Sequence, residues 1–149
     1  MAPSPRFAFQ QPFYNGRYTL IISRTIPFIP VAIDIKPGTI EYAPVNPNSK
    51  GNIPVALLGA ANFDPFQIRA DVENLTFGGT GDEKSLRRCS KEGEDVNGDG
   101  HLDRICHFDT QLSKITIHHE DGILKGKTNS GTAFVGNGPL KVIPVRRPD

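Results

Sequence analysis

The stretch 31–35 reads VAIDI, and its apolar residues alternate, so that Val31, Ile33 and Ile35 share one face of an extended strand. The same alternation recurs in further short stretches rich in β-branched residues: IPVALL (53–58), VENLTF (72–77), LDRICHF (102–108), SKITIHH (113–119) and PLKVIPV (139–145). Clusters of Gly, Pro, Asn and Asp separate these stretches, as turns separate strands. The pattern predicts an all-β sandwich.

The composition agrees with short strands joined by turns, since the chain has 15 glycines and 13 prolines in 149 residues. One stretch, FDPFQIRADV, predicts a helical turn or two over 64–72, with Pro65 at the first helical position. Lys and Arg number 17 against 16 Asp and Glu, and this balance gives no field that would attract nucleic acid or anionic lipid. No apolar run approaches the roughly 20 residues of a membrane helix, so no membrane span is expected.

The most specific motif is DVNGDGHLD, residues 95–103, which has the spacing of an EF-hand calcium loop. Such loops bind Ca²⁺ through oxygens at alternate positions and carry a glycine at the sharp turn, where this chain has Gly100. The predicted ligands are Asp95, Asn97, Asp99, His101 through its carbonyl, and Asp103.

The last position of the EF-hand pattern is Cys106, where sensor proteins have a bidentate glutamate. Water or a carboxylate from elsewhere would then complete the coordination, with Glu92, Glu94 and Asp109 as the nearest candidates. We therefore expect a calcium ion that stabilises the fold and does not switch its conformation. The alternative is an Asp/Asn/Gly-rich turn without an ion.

The chain has two cysteines, Cys89 and Cys106, and they bracket the acidic loop. A disulfide between them would stabilise the fold by about 3 kcal/mol in the chain-entropy model and would imply an oxidising compartment. The alternative is a pair of buried free cysteines in a cytosolic protein.

Residues 1–30 form an N-terminal extension ahead of the predicted sandwich domain, residues 31–149. Within YTLIISRTIPF, one face of an extended strand, interrupted only by Arg24, carries the residues predicted at a subunit interface: Tyr18, Leu20, Ile22, Ile26 and Phe28. Pro27 and Pro30 suggest a stiff hinge. Two interpretations remain open. The strand is donated to the sheet of a neighbouring copy, or it belongs to its own sandwich through a hairpin at Asn15-Gly16.

Four segments together resemble a module of exported bacterial proteins that starts with Ile-Asp-Ile-Lys-Pro-Gly. They are VAIDIKPG (31–38), NPNSKGNIPVALLGAANFD (46–64), EDVNGDGHLDRICHFDT (94–110) and the glycine-spaced region 121–144. The resemblance implies an extracellular, non-catalytic, immunoglobulin-like β-sandwich with a calcium loop. The N-terminal extension resembles the donor strand of pilus-like filament subunits.

Catalytic motifs are missing from the sequence, and His118 and His119, adjacent on a predicted strand, would point to opposite faces. We therefore expect a protein that is not an enzyme. The predicted function is a structural subunit of a filament on the bacterial cell surface, a head-to-tail homopolymer with structural Ca²⁺. The alternative is a monomeric carbohydrate-binding or adhesive module of a larger surface protein, whose partner would be a surface glycan.

Overall fold

The computed structural model describes residues 28–39 and 42–143. The secondary-structure elements in this part of the chain are all β-strands. The strands are β1 (Phe28–Ile35), β2 (Ala43–Val45), β3 (Asn52–Leu57), β4 (Thr76–Gly78), β5 (Leu86–Cys89), β6 (Arg104–Asp109), β7 (Asp121–Lys127) and β8 (Ala133–Val142). The prediction of an all-β fold is confirmed.

Strand β1 connects the two halves of the sandwich. Its first part, residues 28–32, runs parallel to residues 133–137 of β8, whereas residues 33–35 pair antiparallel with β3. The hydrogen-bonded order is β4-β7-β8-β1-β3-β6-β5, and β2 continues beside β8 beyond the point where β1 leaves it. Because β1 takes part in both halves, the eight strands form a nearly closed, barrel-like sandwich.

The core lies between the two halves and follows the alternation read from the sequence. In β1, Ile33 and Ile35 are buried while Asp34 is partly exposed. The rings of Phe77 in β4 and Phe108 in β6 are 4.9 Å apart and join the two layers. Burying a phenylalanine side chain contributes about 1.5–3 kcal/mol, so this pair is a major part of the core.

Two predictions of local structure are wrong, and of the strand predicted over 72–77 only Thr76 and Phe77 lie in a strand, β4. Residues 64–72 form turns in which the Asp64 carboxylate accepts the backbone N–H of Phe66 at 2.9 Å, and no helix forms there. Residues 113–119 form turns where a strand was predicted. Their backbone bonds locally, since the N–H of Thr116 donates to Nδ1 of His119 at 2.8 Å. His118 and His119 therefore do not lie on opposite faces of a strand.

The predicted extension reaches the described residues only at its end. Phe28 begins β1 and is 55% exposed, and Pro30 lies within the same strand. The remaining residues of the predicted interface lie outside the described residues: Tyr18, Leu20, Ile22 and Ile26.

Candidate calcium-binding loop

The acidic loop connects β5 to β6, and its two ends are paired at Glu94 and Asp103, a bridge that we call the neck. The backbones of Glu94 and Asp103 bond to each other in both directions, at 3.1 and 2.9 Å. Residues 95–102 therefore form a compact loop whose ends are held together by a two-bond bridge.

A disulfide ties together the two strands that lead into this loop. Cys89 and Cys106 face each other in the β5–β6 register and are bonded at 2.01 Å. Just above them, the N–H of Ser90 donates to the carbonyl of Ile105 at 2.8 Å. The predicted pairing of the cysteines is confirmed, and the interpretation as free thiols is excluded.

Asp95 organises the loop from inside. Its Oδ1 accepts the N–H groups of Gly98 at 2.8 Å and Asp99 at 3.2 Å, and its Oδ2 accepts that of Gly100 at 2.8 Å. The hydrogen bond from Gly100, with those from Asp99 and Gly98, lowers the pKa of Asp95, although desolvation acts in the opposite direction. Gly98 and Gly100 have φ of 74° and 90°, a conformation that side chains with a Cβ adopt rarely.

Two further predicted ligands lie on the same exposed turn. Oδ1 of Asp99 accepts the N–H of His101 at 2.9 Å, and the side-chain amide of Asn97 lies 3.4 Å from Oδ2 of Asp99. The loop thus gathers the carboxylates of Asp95 and Asp99 and the amide of Asn97 within a single tight turn. Oxygen donors of this kind are those that Ca²⁺ prefers.

Asp103 occupies a different environment from the other predicted ligands. Its side chain is fully buried, with Oδ1 accepting the N–H of Gly59 at 2.7 Å and Oδ2 that of Val96 at 2.8 Å. Gly59 belongs to the segment after β3, and a Cβ there would overlap the carbonyl oxygen of Leu102. Asp103 therefore fastens the loop to the body of the sandwich.

Arg104 also supports the neck, and the sequence alone gave no sign of this role. Its Nε donates to the carbonyl of Ser90 at 2.8 Å, and a terminal nitrogen donates to that of Pro65 at 3.3 Å. The guanidinium lies 5.0 Å from the centre of the Phe66 ring, a cation–π geometry. Desolvation by burial lowers the pKa of Arg104. The loop is thus held between two long-range contacts, at Gly59 and at Phe66.

The oxygen donors of the loop are of the type that Ca²⁺ binds, but the loop provides few of them. Within residues 28–39 and 42–143, no three His, Cys, Asp or Glu side chains converge to hold a metal ion. Asp109, one candidate for completing the coordination, lies at the far end of β6, roughly 17 Å along the strand from the neck. There it accepts a hydrogen bond from Arg87 at 2.7 Å. An ion in the loop would therefore need several water ligands.

Asn74 fits a glycosylation sequon, Asn74-Leu75-Thr76, and its amide has a structural role. Nδ2 donates to the carbonyl of Arg69 at 2.7 Å and to that of Lys127 at 3.1 Å. These bonds connect the turn before β4 to the end of β7. A glycan attached to Nδ2 would disrupt them.

No helix able to span a membrane occurs among the residues that the structure describes. In comparisons with known proteins, no family model, curated protein or solved structure matches this chain. The resemblance to the exported module therefore rests on the sequence motifs quoted above.

Proposed function

We propose that the protein is a structural subunit of an extracellular bacterial filament, in which the N-terminal strand of each copy binds to the next copy. The observation that carries this proposal is the pairing of β1. This strand already has β8 beside its first half and β3 beside its second half. The sequence of residues 18–26, which precede it, predicts a further amphipathic strand, for which the pairing of β1 with β8 and β3 leaves no need.

A donated strand forms backbone hydrogen bonds with the neighbouring molecule and buries its apolar face there. The contact is head-to-tail, because the donor segment and the accepting surface are different parts of the chain. Contacts of this type produce open filaments unless the rotation closes a ring.

The test compares two single substitutions on opposite faces of the donor strand. Ile22→Asp places a charge on the apolar face, and Ser23→Asp places the same charge on the polar face. Light scattering after size-exclusion chromatography should show multiples of 16.3 kDa for the natural chain and for Ser23→Asp, and a monomer for Ile22→Asp. A natural chain that is monomeric at all concentrations would refute strand donation.

The strand order supports an immunoglobulin-like sandwich as the finer description of the fold. The order β1-β3-β6-β5 in one half and β4-β7-β8 in the other corresponds to the strand order A-B-E-D and C-F-G of immunoglobulin domains. The Cys89–Cys106 disulfide supports an oxidising, extracellular location.

Calcium has a bracing role in this proposal. Asp95, Asn97, Asp99 and the His101 carbonyl are the proposed ligands, and Asp103 positions the loop from the interior. The loop joins two disulfide-bonded strands, so an ion there would stiffen an already closed hairpin. Stabilisation of the folded state by mass action then follows, without a second conformation.

One observation favours glycan binding as a second function. Tyr42 is 56% exposed and borders a groove of about 470 Å³ that is also lined by Glu120, Asp121 and Pro139. An exposed aromatic ring beside carboxylates provides stacking and hydrogen bonding for a sugar. Titration with a panel of oligosaccharides should then show binding that Tyr42→Ala abolishes, and the absence of binding to the natural chain would remove this candidate.

A further inference from the structure

The outer surface of β1 and β8 is apolar where a sandwich normally presents polar side chains. The core-facing positions of β1 alternate with Phe28, Pro30 and Ala32, all of which are exposed. In β8 the corresponding outward positions include Ala133 and Val135, both partly exposed. Outward positions of a sheet that faces water are ordinarily polar. We call these five side chains the β1–β8 face.

The parallel register makes this face continuous. Phe28 is paired with Ala133 and Pro30 with Val135, so apolar side chains lie side by side on the two strands. The next pair, Ala32 and Asn137, marks where the face becomes polar. At about 3.3 Å per residue and about 4.8 Å between strands, the face measures roughly 17 by 10 Å.

Among the described residues, no strand pairs with residues 28–31 of β1 on the side away from β8, and this edge of β1 has hydrogen-bond acceptors. The N–H of Leu58 donates to the carbonyl of Ala32 at 3.1 Å, on the side of β1 away from β8. Since alternate carbonyls of a strand point to the same side, those of Phe28 and Pro30 also point away from β8. The carbonyls of Phe28 and Pro30 are therefore available on this edge as hydrogen-bond acceptors. Because Pro30 has no N–H, one backbone hydrogen bond of a regular strand pairing is missing here.

The other described edges of the sandwich have local features that hinder the addition of a strand. At β4, the N–H of Phe77 donates to the carbonyl of Glu83 at 3.1 Å, and its carbonyl accepts the hydroxyl of Ser85 at 2.6 Å. At β2, the carbonyl of Pro44 accepts the ammonium of Lys36. At β5, a bulge and the exposed Arg87 protect the edge. These features direct a guest strand to β1.

We propose that the β1–β8 face, with the adjacent edge of β1, is the acceptor surface for residues 18–26 of a second copy. This inference rests on the strand donation proposed above. The size of the face selects an extended segment, because a stable contact between globular surfaces needs about 800 Å² per partner. One face of a strand of about five residues fits it, and the alternate side chains Tyr18, Leu20 and Ile22 would meet Phe28 and Val135.

The chain's own residues 18–26 are poorly suited to this surface. Folding back onto β1 would require a tight turn at Ile26-Pro27, directly before Phe28. Two-residue hairpin turns need positive φ, which proline cannot adopt and isoleucine adopts at high cost. Residues 18–27 include no Gly or Asn that would make such a turn favourable. A guest strand supplied by another molecule needs no such turn.

Photo-crosslinking locates the guest strand directly. A benzophenone amino acid replaces Ile22 in the full chain, the ¹⁵N-labelled variant is mixed with unlabelled natural chain, and crosslinked peptides are identified by mass spectrometry. We expect crosslinks between labelled and unlabelled peptides, joining position 22 to residues 28–32 or 133–135. Mixed-label crosslinks to another part of the chain would overturn the acceptor assignment and leave strand donation intact. Crosslinks only within one label would overturn strand donation itself.

Two substitutions on β8 test the face independently. Val135→Lys places a charge within the β1–β8 face, and Asn137→Lys places the same charge two residues further on, at an exposed position that is already polar. Both side chains point outward, so both variants should fold. Val135 lies opposite Lys125, and thermal unfolding of Val135→Lys should show only a small decrease in Tm from this like-charge pair. The crosslink yield should fall at least tenfold for Val135→Lys and less than twofold for Asn137→Lys. Equal yields for the two variants would contradict the proposal.

Discussion

Replacing Asp103 by asparagine tests whether this residue fastens the loop to the sandwich. The carboxylate is fully buried and accepts two backbone N–H groups, from Gly59 and Val96. An asparagine accepts one of them and turns its own NH₂ toward the other. Hydrogen bonds to charged groups contribute about 1.5–3 kcal/mol each, and a buried donor without a partner costs about 1–3 kcal/mol. We expect Asp103→Asn to lower the free energy of unfolding by about 3 kcal/mol.

The assay is urea unfolding followed by circular dichroism, with EDTA present so that ion binding does not contribute. A loss of this size corresponds to a decrease of about 8 °C in Tm for a chain of this length. Asp99→Asn is the matched control, because Asp99 is exposed and its carboxylate accepts hydrogen bonds from loop residues, His101 at 2.9 Å and Asn97 at 3.4 Å. It should cost less than about 0.5–1 kcal/mol. Equal losses for the two variants would refute the assignment of Asp103 as the anchor.

Three further predictions concern the ion, the disulfide and pH. Calcium at about 100 times its Kd should stabilise the fold by about 2.7 kcal/mol, and Asp99→Ala should remove the effect; chelation that leaves Tm unchanged would argue against a bound ion. Replacing Cys89 and Cys106 by serine should cost about 2–4 kcal/mol in urea unfolding, and an unchanged midpoint would contradict this. Burial, followed by repulsion from Arg88, lowers the pKa of His107. Its contribution to stability is therefore present above the unfolded pKa of about 6.5 and is lost as pH falls through the lower folded value. His107→Gln should reduce the decline in stability measured from pH 7 to 5, and an identical decline in the variant would contradict this.

Several strands with regular alternation of apolar residues were predictable, whereas strands whose residues are selected by tertiary packing were not. VAIDI and IPVALL lie in β1 and β3, as their period indicated. The sequence of β7, DGILKGK, has glycines that weaken a strand prediction. In the fold, Gly122 lies beneath the Phe77 ring and Gly126 beneath Phe134, where a Cβ would come within 2.6 Å of a ring carbon. Only the assembled core reveals why glycine is there.

Alternation alone was misleading at residues 113–119. Ile115 is buried and Ile117 is 68% exposed, so the apolar pattern does not describe one buried face. The segment folds as turns because polar side chains satisfy its backbone, as when the Ser113 hydroxyl donates to the carbonyl of Thr110 at 2.6 Å. Serine and threonine compete with strand pairing in this way.

The local geometry of the loop could be predicted from the sequence, whereas the long-range contacts that hold the loop against the sandwich could not. Spacing alone indicated a turn organised by Asp95 and Asp99, and hydrogen bonds of both carboxylates to loop amides occur in the structure. The burial of Asp103 depends on Gly59, which is 44 residues away in sequence. The support from Arg104 depends in the same way on Phe66. Contacts of this range leave no periodic or spacing signal in the sequence.

Electron cryo-microscopy of assembled native material tests the central claim most directly. The account predicts filaments in which residues 18–26 of one copy lie along β1 and β8 of the next, with continuous density crossing from molecule to molecule. Single particles of one chain, with residues 18–26 packed against their own sandwich, would contradict it.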